Sequence, residues 1–208
     1  MTNVTTAAVE RPARRTQADR RARTRGALLE AAARGLSRHG YANLVLERVA
    51  AEAGYTRGAL YHQFAGKEDL ALAVVDWVRD AWYAEVGVLM DDVTDPVGTL
   101  LAVARGHAVF CRRDIARVMI TLRIEVDGHD HPVGRRVREV ERQLLVDCAR
   151  LVRAGRRTGA MPPGPPVRAM TRAYFGAVEG LVINLAGEVP FDAVLAERAA
   201  RGVLGLAP

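Results

Sequence analysis

Val45-Leu46-Glu47-Arg48-Val49-Ala50-Ala51-Glu52-Ala53-Gly54-Tyr55-Thr56-Arg57-Gly58-Ala59-Leu60-Tyr61-His62-Gln63-Phe64 is the stretch that decides how this chain folds. Leu46, Val49 and Ala50 recur at helical spacing, which predicts a short helix over 46–53 with one face turned inward. Gly54 follows, and glycine alone takes the left-handed turn that redirects a chain without steric cost. Thr56 suits the N-cap of a second helix over 57–63, whose Leu60 and Phe64 return to the core. Thr56, Arg57, Gly58, Tyr61 and His62 are left on its outer face. One helix that braces and a second that presents polar side chains form a helix-turn-helix, the device that enters a DNA major groove. Gly58 removes bulk where the second helix would approach the duplex.

Outward from this stretch the pattern stays helical. Leu28, Leu29, Ala32 and Leu36 predict a helix over 17–39 that stops at Gly40. Another opens near Lys67 and runs past Trp77 and Trp82 to about Val88. Asp95-Pro96 pairs an N-cap with proline at the first helical position, opening a helix to about Cys111. Asp114 is the expected cap of the next, and Pro132 opens a long arginine-rich helix ending near Gly159. Met161-Pro162-Pro163-Gly164-Pro165-Pro166 cannot be helical and precedes two last helices over 167–186 and 191–205. No strand alternation is present, so the fold class is all-α: a basic arm over 1–16 expected to be disordered, a DNA-binding domain over 17–66 and a helical regulatory and dimerisation domain over 67–208.

Charge is unevenly spread. The first 70 residues hold 12 Lys+Arg against 7 Asp+Glu, while the remaining 138 hold 18 against 17. A basic end joined to a neutral body points to a polyanion partner at that end. Arg14, Arg15, Arg20, Arg21 and Arg23 could reach a minor groove, or form an unattached solvated run. No apolar run approaches the ~18–20 residues that span a bilayer, and no secretory leader is expected. Cys111 and Cys148 offer neither a disulfide framework nor a metal spacing, which makes a reduced, cytoplasmic setting the default.

The chain resembles the TetR family of regulators over roughly 22–82. Gly40-Tyr41, Val49-Ala50, the run from Ala53 to Phe64 and Lys67-Glu68-Asp69-Leu70 carry the likeness. By that resemblance, the Tyr61 hydroxyl and the start of the Lys67 helix touch phosphates, with Arg57 and His62 as candidates for base or phosphate contact. Thr56, Gly58 and Arg48 belong to the same candidate face, and Lys67 is the only lysine in the chain. The family places Ser or Thr near Leu44, Val45 and Leu46; here all three are apolar, and Asn43 is the nearest residue able to cap.

The resemblance further implies a homodimer on a double-stranded, palindromic operator, with a small-molecule effector held in the C-terminal domain and no catalytic residue or cofactor. Candidate cavity residues are Trp77, Trp82, Tyr83, Phe110, Met119, Tyr174, Phe175 and Asn184. Their character suggests an apolar or aromatic ligand. The stripe Met170, Ala173, Tyr174, Ala177, Leu181 and Leu185, with Val194 and Leu195 from the last helix, is the expected dimer face; an ordinary core face is the alternative. Two other functions compete. Glu125, Asp127, His129, Asp130 and His131 could make a small metal-dependent enzyme centred on His129 and His131. A non-specific DNA-coating protein would need only the basic arm.

Overall fold

The computed structural model describes residues 16–126 and 130–207, so Arg14 and Arg15 of the expected arm, together with Asp127 and His129, lie outside the described residues. Among those described, every regular element is helical: α1 (Gln17–His39), α2 (Leu46–Glu52), α3 (Arg57–Tyr61), α4 (Lys67–Glu85), α5 (Pro96–Phe110), α6 (Arg117–Val126), α7 (Pro132–Thr158), α8 (Val167–Leu185) and α9 (Phe191–Leu204). Short 3-10 turns over Gly87–Asp91 and Asp114–Ala116 join α4 to α5 and α5 to α6.

Local chemistry explains most boundaries. Thr16 and Asp19 cap α1 reciprocally, each side chain taking the other's backbone N–H. Asp95 caps α5 ahead of Pro96, and Gly159 ends α7 in the left-handed region. Arg20, Arg21 and Arg23 therefore stand on the opening turns of a helix, not in an extended arm. Two capping expectations fail. Asp114 lies inside its 3-10 turn, and Arg113 occupies the cap position. Asn43 turns back, its amide donating to the His39 carbonyl at 3.1 Å, so Val45 holds the cap position of α2 with no side-chain cap.

One apolar cluster runs from Leu28 of α1 to Leu204 of α9. α1 packs on α2, α4 and α6, while α9 packs on both α5 and α8. An ion pair onto a buried carboxylate ties the two ends of this second group. The Arg112 guanidinium meets the Asp192 carboxylate through two 2.8 Å bonds, and Asp192 also accepts from the backbone of Gly187 and Ala193. The guanidinium bonds, which outweigh the opposing effect of burial, hold the Asp192 carboxyl down to a pKa of about 2.

Candidate DNA-contact face and ligand cavity

α2 and α3 meet across Gly54, whose φ of 76° is the left-handed turn the sequence requires. Thr56 accepts from the Ala59 N–H at 3.2 Å and so starts α3. Leu60 and Phe64 are buried, which turns the opposite side of the helix to solvent. Thr56, Arg57, Gly58 and His62 are exposed there, as is Tyr61 at 44%. Among the described residues a Cβ on Gly58 would meet only the Thr56 hydroxyl, at 3.8 Å, so none of them demands glycine at this point. Arg57 lies over the Tyr61 ring and pairs with Glu47 at 3.1 Å, their side chains 65% and 52% exposed. So open a pair exchanges readily for another anion. Arg48, Arg20, Arg21 and Arg23 are exposed and form no ion pair among the described residues.

Lys67 is placed differently from expectation. Its ammonium donates to the Ala42 carbonyl at 2.7 Å and lies 4.9 Å from the centre of the Tyr41 ring. The turn it holds is gripped from the far side as well. Glu125, at the end of α6, accepts from the backbone N–H groups of Tyr41 and Ala42. A Cβ on Gly40 would lie 2.5 Å from that carboxylate, and the residue's φ of 75° is left-handed. Arg25 adds a brace that the sequence reading missed. It covers the Phe64 ring at 4.5 Å and donates to the Gln63 carbonyl, fixing the end of α3 to α1. Nothing in the local pattern marks Arg25 out from its neighbouring arginines.

The described members of the metal-like constellation, Glu125, Asp130 and His131, are taken up in local contacts. Besides Glu125, His131 caps α7 through Nδ1 and meets Tyr41 edge-on, and Asp130 pairs with Arg135. Among the described residues no three His, Cys, Asp or Glu side chains are grouped to hold a metal ion.

A cavity of about 80 Å³ lies between α4, α5, α6, α7 and α8. Trp82, Tyr83, Phe110, Met119 and Phe175 line it, as the sequence suggested. Tyr174 borders a smaller neighbouring space, where its hydroxyl donates to the Leu100 carbonyl at 2.7 Å. Trp77 packs elsewhere against the core, and Asn184 is exposed, donating to Gly180 within its own helix. Neither lines the cavity. His107 and Glu179, which the sequence reading missed, do. His107 Nδ1 accepts from the Trp82 indole at 3.0 Å, while Nε2 lies 3.3 Å from the Glu179 carboxylate and 3.4 Å from Cys111 Sγ. Burial disfavours a second proton on this ring, and the bonds to Cys111 and Glu179 favour it more strongly, so its proton affinity exceeds that of a free imidazole. Yet a second proton can go only to Nδ1, where it would face the indole N–H. With that indole bond made, the ring is the neutral Nε2–H tautomer. Tyr83 donates to Asp147 at 3.0 Å; burial, aided by this bond, raises its pKa well above that of a free phenol.

The expected dimer face divides. Met170 and Tyr174 are buried inside the subunit and drop out of it, because their turn of α8 faces the core. Ala173 and Val194 are exposed, while Ala177, Leu181, Leu185 and Leu195 are half-buried. Gly176, Ile183 and Phe191 extend this open surface, and a Cβ on Gly176 or Gly180 would meet nothing within 4 Å.

The family model described as "Bacterial regulatory proteins, tetR family" matches residues 28–74. The chain is 43% identical over 69 residues to the HTH-type transcriptional regulator CymR of Pseudomonas putida, a match spanning 33% of this chain and 34% of that protein. With the HTH-type transcriptional repressor AcnR of Corynebacterium glutamicum it shares 28% identity over 170 residues, covering 81% and 85% of the two chains. Among solved structures, AibR in complex with isovaleryl coenzyme A and operator DNA matches with a TM-score of 0.67 at 21% identity, covering 88% of this chain and 96% of that one.

Proposed function

We infer that this chain, which belongs to the tetR family of bacterial regulatory proteins, regulates transcription as a homodimeric repressor that a small molecule releases from its operator. The outward face of α3 carries this reading. Thr56, Arg57, Gly58, Tyr61 and His62 are presented together on a helix whose other side is fixed in the core. Arg57 exchanges Glu47 for a base edge or phosphate, and the Tyr61 hydroxyl takes a phosphate. Arg48, Arg20, Arg21 and Arg23 add backbone contacts that position without specifying. Lys67, engaged on Ala42, braces the turn from within.

The small and apolar surface of α8 and α9 serves as the dimer face, where two helices from each subunit form a four-helix bundle. Two recognition helices must then meet successive major grooves about 34–36 Å apart. The cavity is the effector site; AibR, of similar fold, is a precedent with both a ligand and operator DNA. Trp82 of α4 and Met119 of α6 line the cavity, and the first residue of α4 and the last turn of α6 both hold the Tyr41-Ala42 turn. Ligand-driven movement of either helix therefore reaches α2 and α3 and changes the groove spacing.

The test is selection of bound duplexes from a random pool, with affinities then measured at several salt concentrations. The expected result is one enriched palindromic site that keeps a large ratio over random DNA as salt rises. Strong binding without enrichment would overturn the reading in favour of non-specific coating.

A further inference from the structure

The cavity has one charge left over. Trp82 and Tyr83 of α4, Phe110 of α5 and Phe175 of α8, with aliphatic side chains from α4, α6 and α7, make its walls mostly apolar. Four charged side chains reach its lining, and three of them are paired. Arg79 is held by Asp76 at 3.0 Å and Asp80 at 2.7 Å, and Arg123 lies 3.9 Å from Glu141. The fourth is Glu179, one turn beyond Phe175 on the same face of α8 and 13% exposed. Its one polar partner among the described residues is His107 at 3.3 Å. That partner brings no positive charge while Trp82 donates to Nδ1, because the ring is then neutral. Cys111, at the other edge of Nε2, brings none either. A carboxylate enclosed in a mostly apolar cavity with a single 3.3 Å contact is costly, and an incoming cation removes that cost.

We propose that the cavity selects an apolar organic cation, an ammonium or amidinium group carried on an aromatic or aliphatic body, with Glu179 as its anchor and Trp82, Phe110 and Phe175 among its walls. Aromatic faces attract cations through the ring quadrupole, and the attraction grows as water is excluded. The low dielectric of the site strengthens the carboxylate contact in the same way. His107 acts as a positioning residue: its Nε2–H orients Glu179, and its Nδ1 is kept unprotonated by Trp82. The arrangement also excludes an anion of the same shape, which would face Glu179 unscreened. This inference rests on the cavity being the effector site.

Calorimetry on the DNA-free protein at neutral pH compares three probes of one shape: 3-phenylpropylammonium, 3-phenylpropanol and 3-phenylpropionate. The cation is expected to bind at least tenfold more tightly than the alcohol, with the carboxylate weakest. Glu179→Gln keeps the side-chain shape and should abolish the preference, the cation then binding no more tightly than the alcohol. Trp82→Phe keeps an aromatic wall but frees Nδ1 for a proton, so it should shrink the preference as His107 neutralises Glu179. Thermal melting of both variants confirms that they fold. Equal affinity for cation and alcohol, preference for the carboxylate, or no binding of any probe at millimolar concentration overturns the proposal. Because no operator is present, these outcomes are independent of DNA release. Should a different compound free the operator while the cation shows no preference, the regulatory reading stands and this one falls.

Discussion

In α2 and α3 the charges lie outside: Arg57 and Glu47 meet at 3.1 Å with more than half of each side chain in water. Between α5 and α9 the same chemistry is inside, where Asp192 is wholly buried and two 2.8 Å bonds hold Arg112 to it. An exposed pair is worth little and is free to trade partners, as a surface that must leave and rejoin DNA requires. The second pair trades less readily, because breaking it leaves the Asp192 carboxylate stranded away from water. The cavity stands between these extremes, with a carboxylate enclosed but incompletely matched. The contrast teaches that in this molecule the fold is held by satisfied buried charges and function is offered by unsatisfied ones.

The sharpest way to break that contrast is at Asp192. Asp192→Ala removes a buried carboxylate that takes two bonds from Arg112 and one each from the backbone of Gly187 and Ala193, and should cost about 3 kcal/mol, read as a lowered midpoint in urea. The wild type carries a matching pH signature. The carboxyl's pKa is lowered on folding, to about 2, so its contribution is complete above the unfolded value near 3.8 and erodes as pH falls toward 2. The variant should lose stability less steeply across that window. An unchanged urea midpoint would show that the junction between α5 and α9 does not depend on this pair.

Gly40→Ala comes next in size. With φ 75° and ψ 179°, position 40 occupies a region open almost only to glycine, and a Cβ would also press on the Glu125 carboxylate. The strain alone should cost about 1–3 kcal/mol. Glu125→Gln, which keeps one acceptor for the same turn, should cost less than half of this. If both variants melt with the wild type, the grip of α6 on the turn is not a structural tie.

How much of this was legible in the sequence depended on distance along the chain. Gly54, the Thr56 cap, Asp95-Pro96 and the Pro132 and Gly159 limits of α7 act within a few residues, and all could be read directly. So could the polar face of α3, since helical periodicity alone fixes which side chains share it. Glu125 and Tyr41 lie 84 residues apart, Arg112 and Asp192 80, and Trp82 and His107 25. No local pattern records such pairings. For the same reason Met170 and Tyr174 looked like members of a surface stripe, although packing across α5 and α7 had claimed them. The aromatic walls of the cavity were legible by composition. The acid and imidazole that give it chemical character were not.

At the exposed end, Arg57→Ala should relax sequence preference, costing about 1–3 kcal/mol at one or two base positions while random-duplex binding changes far less. Stability should hold, because the lost pair with Glu47 is open to water. Equal weakening on selected and random duplexes would make Arg57 a phosphate contact and move specificity to His62 and Thr56.

The smallest expected effect is at Lys67, where the two regions touch. Its half-buried ammonium has three N–H groups, of which one donates to Ala42 while the charge rests against Tyr41. Both contacts are internal, so Lys67→Met should cost about 0.5–1.5 kcal/mol of folding stability from the lost hydrogen bond. A phosphate contact would appear differently. Each neutralised phosphate steepens the dependence of log affinity on log salt by about 0.9, so losing one would flatten the slope by that amount. With the ammonium held on the turn, the slope for Lys67→Met should change by less than half of this, and weaker operator binding should follow from a looser turn alone. Measured from 50 to 200 mM salt on one duplex, a drop near 0.9 with unchanged melting would return Lys67 to the DNA face and make α4, like α3, a helix whose first turn meets the backbone.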